Sequence, residues 1–213
     1  MKISFQNVVP AFLAGTTHFT SQIWQTDLQI AAGTRVLVRA QSGKGKTTFL
    51  SYIFGARTGY SGNILLDEKN IASFNLNDWS GLRQTKLSML FQELRLFENL
   101  TVRENLELKR TLTNSVAFDE VYSYLEQMGV KEFINKPCGL LSTGQKQRVA
   151  IAQSLSQPFS LLLMDEPFSH LDEMNTGIAM KLIMDRCNAN RAGLMISSLG
   201  TEYNFAFDRI LEL

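Results

Sequence analysis

Residues 40–48 read Ala40-Gln41-Ser42-Gly43-Lys44-Gly45-Lys46-Thr47-Thr48 and are the most informative segment for the fold. An apolar segment at residues 34–40 precedes it, and apolar residues at helical spacing continue to Gly55. This pattern predicts a strand, a turn that contains glycines, and then a helix. In such an arrangement the backbone N–H groups of the turn and the positive end of the helix face an anion. We therefore expect the loop to bind phosphate groups.

The residue types in this loop suit a nucleoside triphosphate. Gly43 and Gly45 allow the backbone to curl without Cβ clashes, and Lys46 can reach the β- and γ-phosphates. The hydroxyl of Thr47 can hold Mg²⁺. The full pattern begins with a glycine where this chain has Ala40, and we expect alanine to be tolerated there if its φ stays negative. A chance glycine-rich turn is the alternative that the loop alone leaves open. The predicted nucleotide contacts in the loop are Gln41, Ser42, Gly43, Lys44, Gly45, Lys46, Thr47 and Thr48.

Composition limits the classes of protein to which this chain can belong. Its 213 residues carry a formal net charge of +1, so nothing indicates a nucleic-acid partner. The two cysteines, Cys138 and Cys187, lie far apart, which argues against a disulfide framework or zinc site and favours buried thiols. The most apolar stretch, residues 161–164, is far shorter than a membrane-spanning helix, and polar residues interrupt the N-terminus too early for a secretion signal. We therefore expect a cytoplasmic chain, with any membrane role supplied by a partner.

Strand and helix patterns alternate along most of the chain. Apolar runs and period-two alternation predict strands at residues 2–8, 23–30, 34–40, 63–66, 86–91, 160–164, 193–197 and 208–213. Helical spacing predicts helices after the loop and at residues 102–106, 118–128, 145–156 and 173–188. This alternation is typical of a mostly parallel sheet. Strand signals vanish between about residues 93 and 140, which predicts a helical subdomain inserted into an α/β core of residues 1–92 and 141–213.

Two carboxylates end the apolar strand at residues 160–164. Asp165, at the C-terminal end of a central strand, is expected beside the phosphate loop, where open α/β sheets bind their ligands. An aspartate there can order Mg²⁺ and its waters, and Glu166 is placed to polarise a water that attacks the γ-phosphate. A turn or capping acid is an equally good interpretation of these two residues taken alone.

A second phosphate-facing surface is predicted at Leu141-Ser142-Thr143-Gly144-Gln145. An apolar-periodic helix follows it, and Ser142 with Gln145 fits a capping box. A capped helix N-terminus with a glycine also presents N–H groups to an anion, so the capping and binding interpretations are compatible.

In their order along the chain, these motifs resemble those of the nucleotide-binding domain of ABC ATPases, and the match runs almost end to end. The order is the phosphate loop, Phe91-Gln92, Leu141 to Gln145, Met164-Asp165-Glu166-Pro167, and Ser169-His170-Leu171-Asp172. The resemblance implies an α/β P-loop NTPase fold with a mostly parallel central sheet, an N-terminal antiparallel β part and an inserted α-helical subdomain, in one domain of residues 1–213. Residues 91–105 are similar to the same region of small ABC ATPases that serve lipoprotein release, macrolide export and cell division.

The resemblance also assigns roles to residues outside the phosphate loop. Gln92 is similar to the Q-loop glutamine, which contacts Mg²⁺ and the attacking water and couples to the membrane partner. Residues 169–172 are similar to the D-loop, which crosses the dimer interface. Phe12 lies where the family has an aromatic ring that stacks on adenine, although a core or surface phenylalanine is an equally good interpretation. The pentapeptide resembles the ABC signature, with a threonine where glycine is usual, and its expected nucleotide contacts are Ser142, Gly144 and Gln145.

The mechanism that the resemblance implies needs two chains. Each ATP is held between one phosphate loop and the signature of the other chain, in a homodimer or in a heterodimer with a related ATPase. Closure drives a transmembrane permease from the inner face of the cell membrane, and hydrolysis of ATP to ADP and phosphate reopens the dimer. The expected catalytic residues are Lys46, Gln92, Glu166 and Ser198, and the expected Mg²⁺ ligands are Thr47, Gln92 and Asp165. Two alternatives stay open: a soluble, non-transport ABC ATPase, and a dimerisation switch with weak or no hydrolysis.

The chain departs from the family pattern after the strand at residues 193–197. The family has a histidine there that contacts the γ-phosphate, whereas counting from Asp165 places Ser198 at that position. Serine donates one hydrogen bond from a shorter side chain and is never cationic, which puts the hydrolysis rate in question more than ATP binding. Neither His18 nor His170 is placed to substitute. Arg39, in a predicted buried strand, is expected to pair with a carboxylate at a strand end.

Overall fold

The computed structural model of the protein describes residues 1–15, 21–113, 115–200, 203 and 205–213, and these residues form two sheets and six α-helices. The strands are β1 (Ile3–Pro10), β2 (Asp27–Ile30), β3 (Arg35–Arg39), β4 (Tyr60–Leu66), β5 (Lys69–Asn70), β6 (Leu87–Leu90), β7 (Leu161–Asp165), β8 (Gly193–Ser198) and β9 (Arg209–Glu212). The helices are α1 (Lys46–Phe54), α2 (Leu76–Thr85), α3 (Val102–Arg110), α4 (Phe118–Gln127), α5 (Thr143–Ser154) and α6 (Glu173–Asn190).

The central sheet has the strand order β6-β7-β8-β3-β9, and every neighbouring pair is parallel. All residues of β6, β7 and β8 are buried, as expected for parallel strands covered on both faces. The second sheet is antiparallel, with the order β2-β1-β4-β5. The predicted fold, a mostly parallel central sheet with an N-terminal antiparallel part, is therefore confirmed.

Two apolar cores flank the central sheet. One lies between this sheet and the antiparallel sheet, and its centre is a group of four buried aromatic rings: Phe5, Trp24, Phe49 and Tyr52. The other packs the sheet against α5 and α6 and continues into α3 and α4. Within residues 93–140, the described part contains α3, α4 and short 3₁₀ turns, and no strand of either sheet. We propose that this segment is the inserted helical subdomain.

The segment before β2 differs from the predicted strand at residues 23–30. The hydroxyl of Ser21 accepts hydrogen bonds from the N–H groups of Ile23 and Trp24, each at 3.0 Å. Gln25 then adopts a φ of +58°. These local bonds and the left-handed residue form a turn, so Ile23 is buried ahead of the strand and the ladder begins at Asp27.

The helix α2 was not predicted: its apolar residues are only three, Leu76, Trp79 and Leu82, and none of them is fully buried. Its start is a capping box between Asn75 and Asp78, which is the signal in the sequence that indicates it. Partly buried Trp79 and Leu82 pack against the core. The guanidinium of Arg83 donates to the Gly55 carbonyl at 2.7 Å and lies 5.2 Å from the ring centre of Phe54 in α1.

The predicted state of the two cysteines is confirmed. Cys138 and Cys187 are both free and buried. Burial raises the pKa of the Cys138 thiol to about 11 and that of Cys187 to about 12. Among the described residues, no helix combines the length and the apolar character needed to cross a membrane.

Two glycine-to-alanine substitutions, one in the antiparallel sheet and one in α2, test the packing of that sheet. Gly62 has a φ of +85° beside the irregularity in β1, and a Cβ there would lie 2.4 Å from the Asn7 carbonyl oxygen. We expect Gly62→Ala to lower the free energy of unfolding by at least about 2 kcal/mol. The matched control is Gly81→Ala in α2, where a Cβ meets nothing within 4 Å and stability should rise by about 0.5–1 kcal/mol. Urea unfolding of both variants checks the prediction, and equal stabilities would contradict it.

Candidate functional site

The phosphate loop joins the end of β3 to the start of α1. Gly43 and Gly45 have φ values of +79° and +101°, the left-handed region that favours glycine. Ala40 is absent from the described residues with positive φ, so the condition under which we expect alanine to be tolerated is met. The residue that caps α1 is Gly45, which offers the helix no side-chain hydrogen bond. The N–H groups of the first turn therefore have no side-chain acceptor from their cap and suit an anion.

Phe12 lies against this loop. A Cβ on Gly45 would lie 3.0 Å from the Phe12 ring and 3.2 Å from the indole nitrogen of Trp24, so only glycine fits between the loop and these rings. Phe12 is 51% exposed, which excludes the interpretation as a core phenylalanine. It is a half-exposed ring beside the loop.

Lys46 spans the phosphate loop from the first position of α1. Its side chain is only 5% exposed, and Nζ donates to the carbonyl oxygens of Ala40 at 2.8 Å and Gln41 at 3.2 Å. Nζ also lies 3.5 Å from Oε1 of Glu166. The ammonium is thus surrounded by oxygen acceptors at the position where the phosphate of a nucleotide is expected.

Asp165, at the end of β7, connects three elements through its buried carboxylate. Oδ2 accepts the Thr47 hydroxyl of α1 at 2.6 Å, and Oδ1 accepts the Ser197 hydroxyl of β8 at 2.5 Å. The residue is 1% exposed. Its position beside the phosphate loop agrees with the expectation for an acidic residue at the C-terminal end of a central strand. Both carboxylate oxygens accept hydrogen bonds, as a buried charge requires.

Glu166 is held in an uncommon backbone conformation that directs its side chain into the site. Its φ is +49°, which a residue with a Cβ adopts at a cost of about 1–2 kcal/mol. The Ser197 hydroxyl accepts the N–H of Glu166 at 3.0 Å and so fixes the turn. The Glu166 carboxylate then lies between two groups, with Oε1 near Lys46 and Oε2 accepting from Nε2 of Gln92 at 3.3 Å. The structure thus joins residues from four distant parts of the sequence.

The other residues predicted to contact the nucleotide from the phosphate loop differ in how exposed they are. Four of them are exposed and able to meet a ligand: Gln41, Ser42, Gly43 and Lys44. Thr48 is 6% exposed, and its hydroxyl accepts from the guanidinium of Arg57 at 3.2 Å.

Ser198 ends β8 and is buried at 1% exposure. Its carbonyl accepts the N–H of Ala40 at 3.3 Å, which ties the end of β8 to the start of the loop. With Glu166 it lines a cavity of about 630 Å³, which Tyr203 also lines. Sequence reasoning did not select Tyr203, because it follows a segment without periodicity. It also missed Ser197, although the strand-end rule that selects Asp165 applies equally to the end of β8.

The signature residues lie at the start of α5, apart from these groups. Ser142 and Gln145 form the predicted capping box, with the Ser142 N–H donating to Oε1 of Gln145 at 2.9 Å. Among the described residues, the polar contacts of Lys46, Thr47 and Asp165 are with other groups. The structure therefore does not bring Ser142, Gly144 or Gln145 to the phosphate loop of their own chain.

The D-loop segment packs beside the signature. A Cβ on Gly144 would lie 3.0 Å from the His170 carbonyl oxygen. The His170 ring contacts Oε1 of Gln147 in α5 at 3.2 Å, so it faces that helix, as its position in the sequence indicates. His18 lies outside the described residues. The predicted carboxylate partner of Arg39 is Glu212 of the edge strand β9, with the two charged groups 2.6 Å apart.

Comparison with known proteins gives relatives over most of the chain. Thiamine import ATP-binding protein ThiQ of Haemophilus ducreyi is 36% identical over 190 residues, which cover 87% of this chain and 86% of the relative. Lipoprotein-releasing system ATP-binding protein LolD of Buchnera aphidicola subsp. Schizaphis graminum is 35% identical over 176 residues, 80% of this chain and 76% of the relative.

A solved structure shares the fold. The ATP-binding cassette MJ0796, in a dimeric post-hydrolysis state bound to ADP and phosphate, superposes with a TM-score of 0.83 at 24% identity. The superposition covers 99% of this chain and 94% of that chain. The sequence profile described as "ABC transporter" matches residues 23–169. With the phosphate loop, the acidic strand end and the capped signature helix in place, this match shows that the chain belongs to the ABC transporter family, as a nucleotide-binding domain.

Proposed function

We propose that this chain is the ATP-binding and ATP-hydrolysing subunit of an ABC transporter, powering a separate transmembrane permease. The observation that carries the proposal is the convergence of Lys46, Thr47, Asp165 and Glu166 at the N-terminus of α1, where the cap Gly45 offers no side-chain hydrogen bond. A cation, a hydroxyl and two carboxylates beside the N-terminus of a helix are the groups that phosphoryl transfer uses. ThiQ and LolD, both named as ATP-binding proteins, support the same conclusion.

ATP binds through the phosphate loop in this proposal. The Lys46 ammonium exchanges its bonds with the loop carbonyls for stronger, charge-assisted bonds with phosphate oxygens. The N–H groups of residues 41–48 surround the remaining phosphate oxygens. The exposed face of the Phe12 ring stacks on adenine, supported by its contact with the loop at Gly45.

Mg²⁺ accompanies ATP, and the donor set of the site fits it. The Thr47 hydroxyl and the Asp165 carboxylate lie 2.6 Å apart and present hard oxygen atoms, the ligands that Mg²⁺ prefers. Gln92, which contacts Glu166, would supply its amide oxygen as a further ligand. These residues would hold Mg²⁺ where it could neutralise charge on the β- and γ-phosphates.

Glu166 is the proposed general base. Its carboxylate accepts a proton from the water that attacks the γ-phosphorus, and the bond from that phosphorus to the leaving oxygen of ADP breaks. The contacts with Lys46 and Gln92 hold the carboxylate in the site. Lys46 stabilises the charge of the transferring group, and Gln92 orients the water.

The site is completed by a second chain. Ser142, Gly144 and Gln145 lie at a helix start that can present N–H groups to the γ-phosphate bound by a partner chain. The partner is a second copy or a related ATPase, and each interface then holds one ATP. The dimeric state of MJ0796, which has the same fold, supports this arrangement.

The permease partner places the chain on the membrane surface. We infer a peripheral position on the cytoplasmic face, where dimer closure on ATP and reopening after hydrolysis move the permease. The transport systems named for ThiQ and LolD support the partnership.

A second candidate function is an ATP-dependent dimerisation switch with weak hydrolysis. It is favoured by the short, buried side chain of Ser198 at the position for which the family pattern gives a histidine. The two functions make the same prediction for ATP binding and opposite predictions for turnover.

The first test removes the phosphate-binding cation. Lys46→Ala should weaken ATP binding at least about tenfold, since a charge-assisted contact of about 1.5–3 kcal/mol is lost. Lys181→Ala is the matched control, because Lys181 pairs with Asp185 on the exposed face of α6, and this change should leave affinity within twofold. Titration with a fluorescent ATP analogue measures both. If Lys46→Ala and the wild-type chain bind ATP with equal affinity, the phosphate loop is not the ATP-binding site.

The second test traps the dimer. Glu166→Gln retains the size of the side chain and removes the base, so ATP should remain bound and hold two chains together. Analytical ultracentrifugation should show a stable dimer with ATP and monomer with ADP, whereas the wild-type dimer decays as ATP is consumed. A variant that stays monomeric at saturating ATP would contradict the shared site.

The third test supplies the membrane partner. We expect a permease encoded beside this gene, when coexpressed, to copurify with the chain in detergent and to raise ATP turnover several-fold. Turnover that stays absent with the permease bound would favour the dimerisation switch. Failure to recover any transmembrane protein with the chain from its own membranes would favour a soluble ABC ATPase.

A further inference from the structure

Tyr203, which follows β8 in the chain, lies beside Glu166 in the proposed catalytic site. β8 ends at Ser198, and Gly200 adopts a φ of +102°, a conformation in which the backbone can turn sharply. The ring of Tyr203 packs edge-on against Phe168, with ring centres 5.1 Å apart and planes at 79°. Phe168 lies two residues beyond Glu166. The phenol is therefore held beside the acidic strand end, in a geometry that aromatic pairs favour.

Tyr203 shares the 630 Å³ cavity with Glu166 and Ser198. The phenol is hydrogen-bonded with the Ser198 side chain, and the Glu166 charge is near enough to act on it. Burial raises the pKa of Tyr203, the bond with Ser198 lowers it, and Glu166 raises it, so the net direction is upward from 10.0. The phenol consequently keeps its proton at neutral pH and is a hydrogen-bond donor.

Tyr203 lines the same cavity as Glu166, so its hydroxyl can serve as a donor to a ligand that enters the cavity.

We propose that Tyr203 is a catalytic hydrogen-bond donor to the terminal phosphate of the bound nucleotide, with Ser198 and Phe168 as its positioning residues. This inference rests on the proposed hydrolysis of ATP at Glu166. Tyr203 donates to a non-bridging oxygen and keeps its proton throughout, while Glu166 takes the proton of the attacking water. The neutral phenol thereby supplies the contact that the short Ser198 side chain lacks.

The test is Tyr203→Phe, which removes one oxygen and retains the ring that packs on Phe168. We expect kcat for ATP hydrolysis to fall about 10²-fold, the lower end of the loss that follows removal of one donor to a developing charge. The ATP dissociation constant and the urea midpoint should stay unchanged. The matched control is Tyr122→Phe in α4, whose ring stacks on Phe118 away from the site and whose kcat should stay within twofold.

The outcomes separate this inference from the function on which it rests. A Tyr203→Phe kcat within twofold of wild type overturns the inference, as does a loss confined to ATP affinity or stability. A wild-type chain that binds ATP but does not hydrolyse it also overturns the inference, while the proposed nucleotide site stands. A wild-type chain that does not bind ATP overturns the proposed function itself.

Discussion

The buried carboxylate of Asp165 joins the start of α1 to the end of β8. One oxygen accepts the Thr47 hydroxyl and the other accepts the Ser197 hydroxyl, and water reaches almost none of the residue. Hydrogen bonds to a charged group contribute about 1.5–3 kcal/mol each, and a buried charge that loses a partner destabilises the fold by more. This one side chain therefore adds a buried link between the loop, the acidic strand end and β8 to the ladder bonds that already pair the strands.

Ser197 extends this constraint to Glu166, the proposed general base. Its hydroxyl donates to Asp165 and accepts the N–H of Glu166, so the same side chain that satisfies the buried charge also holds the left-handed turn. That turn is unfavourable for glutamate in isolation. The hydrogen bonds around it make it stable, and the result is a carboxylate placed between Lys46 and Gln92. The left-handed backbone of Glu166 thus directs this carboxylate, in keeping with the tendency of such residues to occur at functional sites.

In the proposed function the rest of the site is divided between two parts of the chain. The phosphate loop and the acidic strand end form one part, and the capped start of α5 forms the other. Since each part would bind phosphate together with a partner chain, dimerisation and ATP binding are coupled in that proposal. In the proposed role of Tyr203, the short side chain of Ser198 at a strand end is supplemented from the segment that follows it.

The features that depend on short-range sequence patterns could be predicted from the sequence alone. The phosphate loop, the capping box at Ser142 and the parallel strands follow from glycine positions, short-range bonds and apolar runs, so residue order is enough to predict them. Local sequence patterns did not predict helix α2, which buries no residue, or the turn before β2. The tertiary structure was needed to show that Ser197 bridges Asp165 and Glu166. It was also needed to show that Glu212 pairs with Arg39 and that Tyr203 lines the cavity beside Glu166. These contacts join residues far apart in the chain, and they exist because the strand order β6-β7-β8-β3-β9 brings those strand ends to one edge of the sheet.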